Sequence, residues 1–394
     1  MECWNLELHP RHHSIDPIIY YFSNPYFDAM FYFAFFFLLF SFSAAATAQS
    51  AFAKVEKPWI WQFPRDHGQH AEYQTEWWYF TGNLRAENGR RFGYELTFFR
   101  QALVPSLLPR QSSWAFRDAY VAHFAITDVE NERFYDDQKT ARDALNLAGA
   151  DSTSLAVHLG EWTARQDDQE ADGNNMAGNR IHLHAASAFG KIDLALAPTK
   201  PPIFHGNRGL LPNSALPGDA VYYYSLTSLQ TEGTLVVGGE SWRVRGASWM
   251  DHEFFTSHPN ADVTGWDWFS LHLSDSTEAM FFLFRRANGS HSPYSAGTFI
   301  HRDKISRHLT ANDFELIPQD WWTSPASGGK YPVAWKIKFL EYDLQLSTPV
   351  KNQELDTRRT TGNIYWEGFV EVVGKKGNSK ILGEGYLEMT GYAK

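Results

Sequence analysis

The chain is nearly free of cysteine. Only Cys3 carries a thiol among 394 residues, and it lies ahead of a segment that reads as an export signal. Disulfides, thiol catalysis, cysteine zinc sites and a lipid-modified N-terminal cysteine are therefore excluded together from the mature chain. The signatures of familiar hydrolases are missing as well. No G-x-S-x-G elbow occurs, since Gly246-Ala247-Ser248-Trp249-Met250 fails at its last position, and neither an H-E-x-x-H motif nor a P-loop is present. Standard serine hydrolases and zincins are not expected, nor is any cofactor or metal. Excess positive charge is absent too. Residues 1–48 hold one Arg and four acids of the chain's 35 basic and 45 acidic residues, which leaves 34 against 41, a net of −7. Nucleic acid is not an expected partner.

Long apolar runs are equally scarce. The one that stands out, Phe31 to Phe42, is too short to span a bilayer comfortably and is followed by Ala46-Thr47-Ala48. Residues 1–48 thus read as a signal peptide with cleavage near Gln49, or, with the start at Met30, residues 1–29 read as an extension ahead of it. No basic residue directly precedes the run, the nearest being Arg11. The expected location is periplasmic or secreted; the alternative is a chain anchored to the membrane by this apolar segment.

Aromatics, by contrast, make up 16% of the chain, with 15 Trp, 18 Tyr and 30 Phe, a composition suited to half-buried pleated strands. From Trp59 onward, short strands alternate with turn signals and no βαβ pattern appears, which predicts an all-β, antiparallel barrel or sandwich architecture. Thr75–Leu84, Glu87-Asn88-Gly89 and Phe92–Arg100 read as a hairpin. Ala102–Gln111 and Gln166–Asn175 read as loops, and Ala141–Ala148 as a short helix. The N-terminal hairpin resembles a C-terminal pair, EGFVEVVG followed by GEGYLEMTG. Two related modules follow, 55–245 and 246–394.

Strand alternation singles out charged groups on apolar faces. Glu76 shares a face with Trp78 and Phe80, and Arg100 with Tyr94, Leu96 and Phe98. These two form either an internal ion pair or part of a pocket. His182 and His184 share a face at metal-ligand spacing, but no third ligand is identifiable. Ala220–Leu226 brings three successive tyrosines, Tyr223 among them. The densest stretch is Ser248 to Leu273. There Asp267 lies with Phe269 and Leu271, and His252 with Met250 and Phe254, while Trp249, Asp251 and Glu253 take the opposite face. Desolvation raises a carboxyl pKa, so Asp267 or Asp251 could serve as a general acid, with His252 as its partner or as the base for water. The alternative is a buried Asp–His pair that holds two strands together.

The motifs TEWWYFTGNL, FGYELTFFR, SWMDHEFF, GWDWFSLHL and GEGYLEMTGY, in this order over Trp59–Tyr392, resemble the lipocalin-like family of AttH-type proteins and "predicted secreted hydrolases". Carotenoid 1,2-hydratases are distant relatives within it. The resemblance implies two closely associated lipocalin-like β-barrel domains with an apolar pocket. In the hydratases a carboxylic acid protonates an isoprenoid double bond and water captures the cation. The matching positions are Asp251 and His252, with Trp266, Asp267 and Trp268. An indole face near a cation and a dry acid both fit that chemistry.

The expected function is an exported enzyme that adds water to, or hydrolyses, an apolar isoprenoid or acyl substrate, acting close to a membrane. Asp267, His252 and Asp251 are its catalytic candidates. Trp249, Trp266, Trp268, Glu76, Trp78, Tyr79, Arg100 and Tyr223 are expected to line the pocket. The rival is a non-catalytic carrier of a hydrophobic ligand.

Overall fold

The computed structural model describes residues 51–106, 112–167, 179–256 and 262–393. The expected signal segment, and most of the two loops at 102–111 and 166–175, lie outside the described residues. Apart from a single-turn helix at Arg65–His67, the regular structure is strand. In chain order these are β1 (Thr75–Ala86), β2 (Arg91–Ala102), β3 (Asp118–Asp128), β4 (Arg133–Arg142), β5 (Ala148–Ala150), β6 (Ala156–Leu159), β7 (Trp162–Gln166), β8 (Ile181–Ala186), β9 (Gly190–Pro198), β10 (Ile203–Phe204), β11 (Leu210–Pro212), β12 (Ala220–Val237) and β13 (Glu240–Phe255). They pair as β4-β3-β2-β1-β13-β12-β9-β8-β7-β6-β5, with β10 and β11 beside β12. The edge strands β4 and β5 come back together, so the sheet is a nearly closed antiparallel barrel.

The remaining strands are β14 (Val263–Leu273), β15 (Glu278–Arg286), β16 (Ala296–Ile300), β17 (Ser306–Thr310), β18 (Phe314–Thr323), β19 (Lys330–Phe339), β20 (Tyr342–Ser347), β21 (Glu354–Thr357), β22 (Asn363–Lys376) and β23 (Ser379–Thr390). Their order is β17-β16-β15-β14-β23-β22-β20-β19-β18, with β21 beside β22, and they form a half-barrel. The all-β, two-barrel lipocalin-like architecture read from the sequence is thus the observed one. The chain leaves the first sheet only after Phe255, so position 246 falls inside β13 rather than between sheets. No helix forms at 141–148. β4 runs to Arg142, and Leu145 and Asn146 turn the chain with φ of 57° each, which diverts it directly into β5.

Each barrel has its own core. Trp78, Phe80, Tyr94, Phe98, Phe124 and Trp162 fill the first, and Phe269, Phe281, Trp335, Phe339 and Trp366 fill the second. The outer faces of the two sheets then meet over a third cluster that includes Tyr79, Tyr223, Trp249, Trp268, Phe282, Phe369 and Tyr386. Strands β1, β2, β13 and β14 are consequently buried on both faces. An antiparallel strand ordinarily leaves one face in water. Here the second face serves the other barrel.

The repeated hairpins, β1–β2 and β22–β23, lie against each other across this interface. Arg85 pairs with Glu384 and Arg91 with Glu371. These are the same contact seen twice, because Arg85 faces Arg91 in one hairpin as Glu371 faces Glu384 in the other. The interface is therefore two-fold symmetric in plan, as in an isologous dimer. Close approach depends on Gly93, where an added Cβ would lie 3.0 Å from the Phe369 Cβ.

Candidate active site

Two groups of buried titratable side chains follow from this arrangement, one inside the first barrel and one between the sheets. Inside the barrel, Glu76 and Arg100 stand directly opposite each other on β1 and β2. Arg100 Nε donates to Glu76 Oε2 at 3.0 Å and Nη1 to Asp118 Oδ1 at 3.0 Å, while Nη2 donates to the carbonyls of His70 and Tyr73. Glu76 Oε1 also meets His70 Nδ1 at 2.9 Å and His252 Nε2 at 3.0 Å. His252 Nδ1 lies 3.0 Å from the Tyr224 hydroxyl, which in turn lies 2.6 Å from His67 Nδ1. Burial opposes ionisation of Glu76, but the Arg100 charge and the His252 and His70 hydrogen bonds outweigh it and hold the carboxyl well below its usual range. Burial likewise disfavours charge on His70, yet Asp66 and Glu76 raise its pKa.

His70, Glu76 and His252 could in principle hold a metal, their ligand atoms lying within 4.8 Å of one another. Against that, a cation there would sit beside the Arg100 guanidinium and take the place of the proton between a ring nitrogen of His70 and its carboxylate, Nδ1 meeting Glu76 and Nε2 meeting Asp66. The set is a self-satisfied ion network. Of the two readings of Glu76 and Arg100, the internal ion pair is the observed one.

The second group, between the sheets, consists of acids. Asp251 accepts hydrogen bonds from Tyr223 OH at 2.7 Å, from Trp249 Nε1 at 2.6 Å and from Ser225 Oγ. Trp268 Nε1 donates to Tyr223 OH at 3.1 Å, and His205 bridges Ser225 and Thr298 at 2.7 and 2.8 Å. Glu253 on β13 and Glu388 on β23 are electrostatic neighbours of Asp251. Glu367 and Glu95 extend the group, Glu367 receiving the Tyr79 hydroxyl. No Lys or Arg balances any of these five carboxyls among the described residues.

Burial, then mutual repulsion, accounts for the protonation this imposes. Burial pushes Asp251 up to about 7, its three donors restraining the rise. Burial and neighbouring acids push Glu388 up to about 8, against the Trp266 indole that donates to it at 3.2 Å. Glu95 rises to about 8, chiefly through burial, and Glu253 and Glu367 are raised well above the carboxylate range. Glu253 and Glu388 remain half-buried, as do Trp77, Phe255, Trp266 and Phe284 beside them. These six bring partly exposed aromatic rings and acids together at the margin of the interface. Glu95 Oε2 and Glu367 Oε2 have no partner among the described residues.

The sequence-derived candidates divide between compartments. Asp251, Trp249, Trp266, Trp268, Tyr79 and Tyr223 gather between the sheets. His252, Glu76, Trp78 and Arg100 lie in the first barrel. Asp267 lies in the second, 3.1 Å from Arg285, where burial, offset by Arg285 and Tyr392, leaves its pKa at about 6. Asp267 and His252 therefore do not share a site. Each points to the inner face of its own sheet, and the two inner faces are separate cores. His182 and His184 are surface residues, each with its own partner, Asp167 at 2.9 Å and Asp193 at 2.5 Å.

Glu388, Glu367 and Glu95 were not among the candidates, although a signal existed. Glu95 pairs with Thr81 and Glu388 with Glu367 at equivalent places in the repeated hairpins. The repeat thus sets two strand-centre glutamates at matching positions.

A family model described as AttH-like matches residues 54–392. The chain belongs to the AttH-like family. An AttH protein of Nitrosomonas europaea has a crystal structure to which this chain is similar, with 29% identity, a TM-score of 0.76, and coverage of 86% of this chain and 100% of that one. Kievitone hydratase of Fusarium solani subsp. phaseoli is 23% identical over 253 residues, which are 61% of this chain and 66% of that relative, slightly under two thirds of its length. The crystal structure of kievitone hydratase from Nectria haematococca shares the fold, with a TM-score of 0.65 at 16% identity over 87% of this chain and 97% of that one.

Proposed function

We propose that this AttH-like protein is a hydratase that adds water across a carbon–carbon double bond of an apolar substrate seated at the margin of the inter-barrel interface. The observation that carries the reading is the five-carboxyl cluster without a counter-cation. Burial raises both Asp251 and its half-buried neighbour Glu388, to about 7 and about 8, so the cluster holds exchangeable protons near neutrality. A carboxyl that keeps its proton there serves as an acid, and an ionised neighbour as a base. Glu388 is the proton donor: its O–H bond breaks as a C–H bond forms on the alkene. The resulting cation lies among Trp77, Trp266 and Trp268, whose π faces favour positive charge. Water attacks the cation and gives up a proton, with Asp251 as the acceptor, and proton exchange within the cluster restores Glu388. The kievitone hydratases, similar in sequence and fold, support water addition over ester hydrolysis. We place the protein outside the cytoplasm on the strength of the apolar run at residues 31–42, where it would meet apolar, membrane-derived compounds.

The test incubates the protein with kievitone, isoprenoid alkenes and acyl esters in heavy-oxygen water and follows gain of one labelled water by mass spectrometry. Glu388→Gln and Asp251→Asn are each expected to lower kcat by about 10²–10⁴-fold, the usual worth of a positioned proton-transfer group. Activity should peak between the two ionisations, near pH 7–8. Turnover unaffected by both variants would refute the assignment. Stoichiometric binding of an apolar ligand at the interface margin with no turnover of any alkene or ester would favour the carrier.

A further inference from the structure

A cavity of about 440 Å³ opens at the mouth of the first barrel, lined by none of the acids between the sheets. Its walls are mainly apolar, with Phe63, Ile181, Pro198, Pro202 and Leu226 among them, and its size lies in the range of small-molecule sites. Of the polar residues in this lining, His67 and Gln166 are buried, whereas Asn179, Thr199 and Lys304 are exposed. His67 presents a ring whose Nδ1 is already engaged by Tyr224, and burial lowers its pKa to about 3, so the ring is neutral. Gln166 is 8% exposed. Its Nε2 donates to Asn179 Oδ1 at 3.2 Å, whereas its Oε1 is buried with no hydrogen-bond partner among the described residues. A buried acceptor without a donor is destabilising, and such a group in a binding wall is satisfied by what binds there.

We infer that the barrel mouth is a ligand site separate from the acids between the sheets, and that it takes an apolar molecule bearing one hydroxyl, which donates to Gln166 Oε1. The polarity of the wall decides the class. A carboxylate would bring negative charge against the unpaired amide oxygen and find no buried cation, because Lys200 is committed to Glu278 at 2.6 Å and Lys304 is exposed to solvent. A hydrocarbon would leave the amide oxygen unpaired. An alcohol satisfies it while its chain covers the proline and leucine walls.

Calorimetric titration of the full chain with decan-1-ol, 1-methoxydecane and decanoic acid tests this. Decan-1-ol is expected to bind at least about tenfold more tightly than either analogue, the worth of one hydrogen bond. Gln166→Leu should remove that preference while leaving the ether's affinity unchanged. Leu226→Trp, which fills the cavity, should abolish binding of the alcohol. Equal affinity for all three compounds, no binding of decan-1-ol, or a preference that survives Gln166→Leu would overturn the proposal. None of these outcomes depends on turnover at the interface margin, and should Leu226→Trp fail to fold, the Gln166→Leu comparison still decides.

Discussion

Glu76 and Glu388 are both glutamates in central strands of this fold, yet their surroundings drive them to opposite protonation states. Glu76 is fully buried, but it is met by a guanidinium, two imidazoles and a backbone amide, and it is ionised. Glu388 is met by one indole N–H and by other acids, and it is protonated at neutral pH. Burial acts on both in the same direction; what differs is the company. The barrel network therefore reads as scaffolding that is already satisfied, and the acidic cluster as a place where charge has been left to move.

The sharpest way to break the comparison is to take the cation out of the network. Arg100→Met should leave Glu76 and Asp118 buried without their partner and cost about 3–5 kcal/mol in denaturant unfolding. Adding Glu76→Gln to Arg100→Met should recover part of that loss, whereas the same loss with and without the second change would show that packing, not charge, is what Arg100 supplies.

Opposite pKa directions also predict opposite pH slopes. Glu76, lowered in the folded state, contributes stability above the unfolded carboxyl pKa that is lost as pH falls. Glu95 is raised to about 8, so the folded state holds a proton that the unfolded state has released. Its contribution is present at low pH and declines as pH rises from the unfolded value toward about 8. Glu95→Gln should accordingly stabilise the protein at pH 8 by on the order of 4 kcal/mol relative to its effect at pH 4. A pH-independent difference would count against a protonated Glu95.

The smallest effect is expected at the edge of the interface. Arg85, half-exposed in its pair with Glu384, should cost less than about 1 kcal/mol on change to Ala, and nothing measurable in high salt. A larger, salt-resistant loss would mean that the symmetric ion pairs hold the barrels together more firmly than surface pairs ordinarily do.

Much of this was legible in residue order. Period-2 alternation placed Glu76 and Arg100 on inner faces and set Trp249, Asp251 and Glu253 on the opposite one, and the repeated hairpin marked the two modules. The pairing of Asp267 with His252 failed for a physical reason. Alternation tells which side of a strand a residue takes, but both residues lay on apolar faces, and nothing local distinguishes the interior of one barrel from that of the next. The short helix at 141–148 failed similarly, because left-handed turns at Leu145 and Asn146 carry no glycine to announce them.

The sequence by itself determined an all-β chain, the alternating faces of its strands and the family, since these depend on local periodicity and residue type. Only the tertiary structure decided that the outer faces of two sheets close on each other. That closure turns strand faces ordinarily left to water into a dry compartment, where Asp251, Glu253 and Glu388 meet across distant parts of the chain without a counter-charge. A carboxyl's protonation depends on what surrounds it in space, and those neighbours come from both barrels.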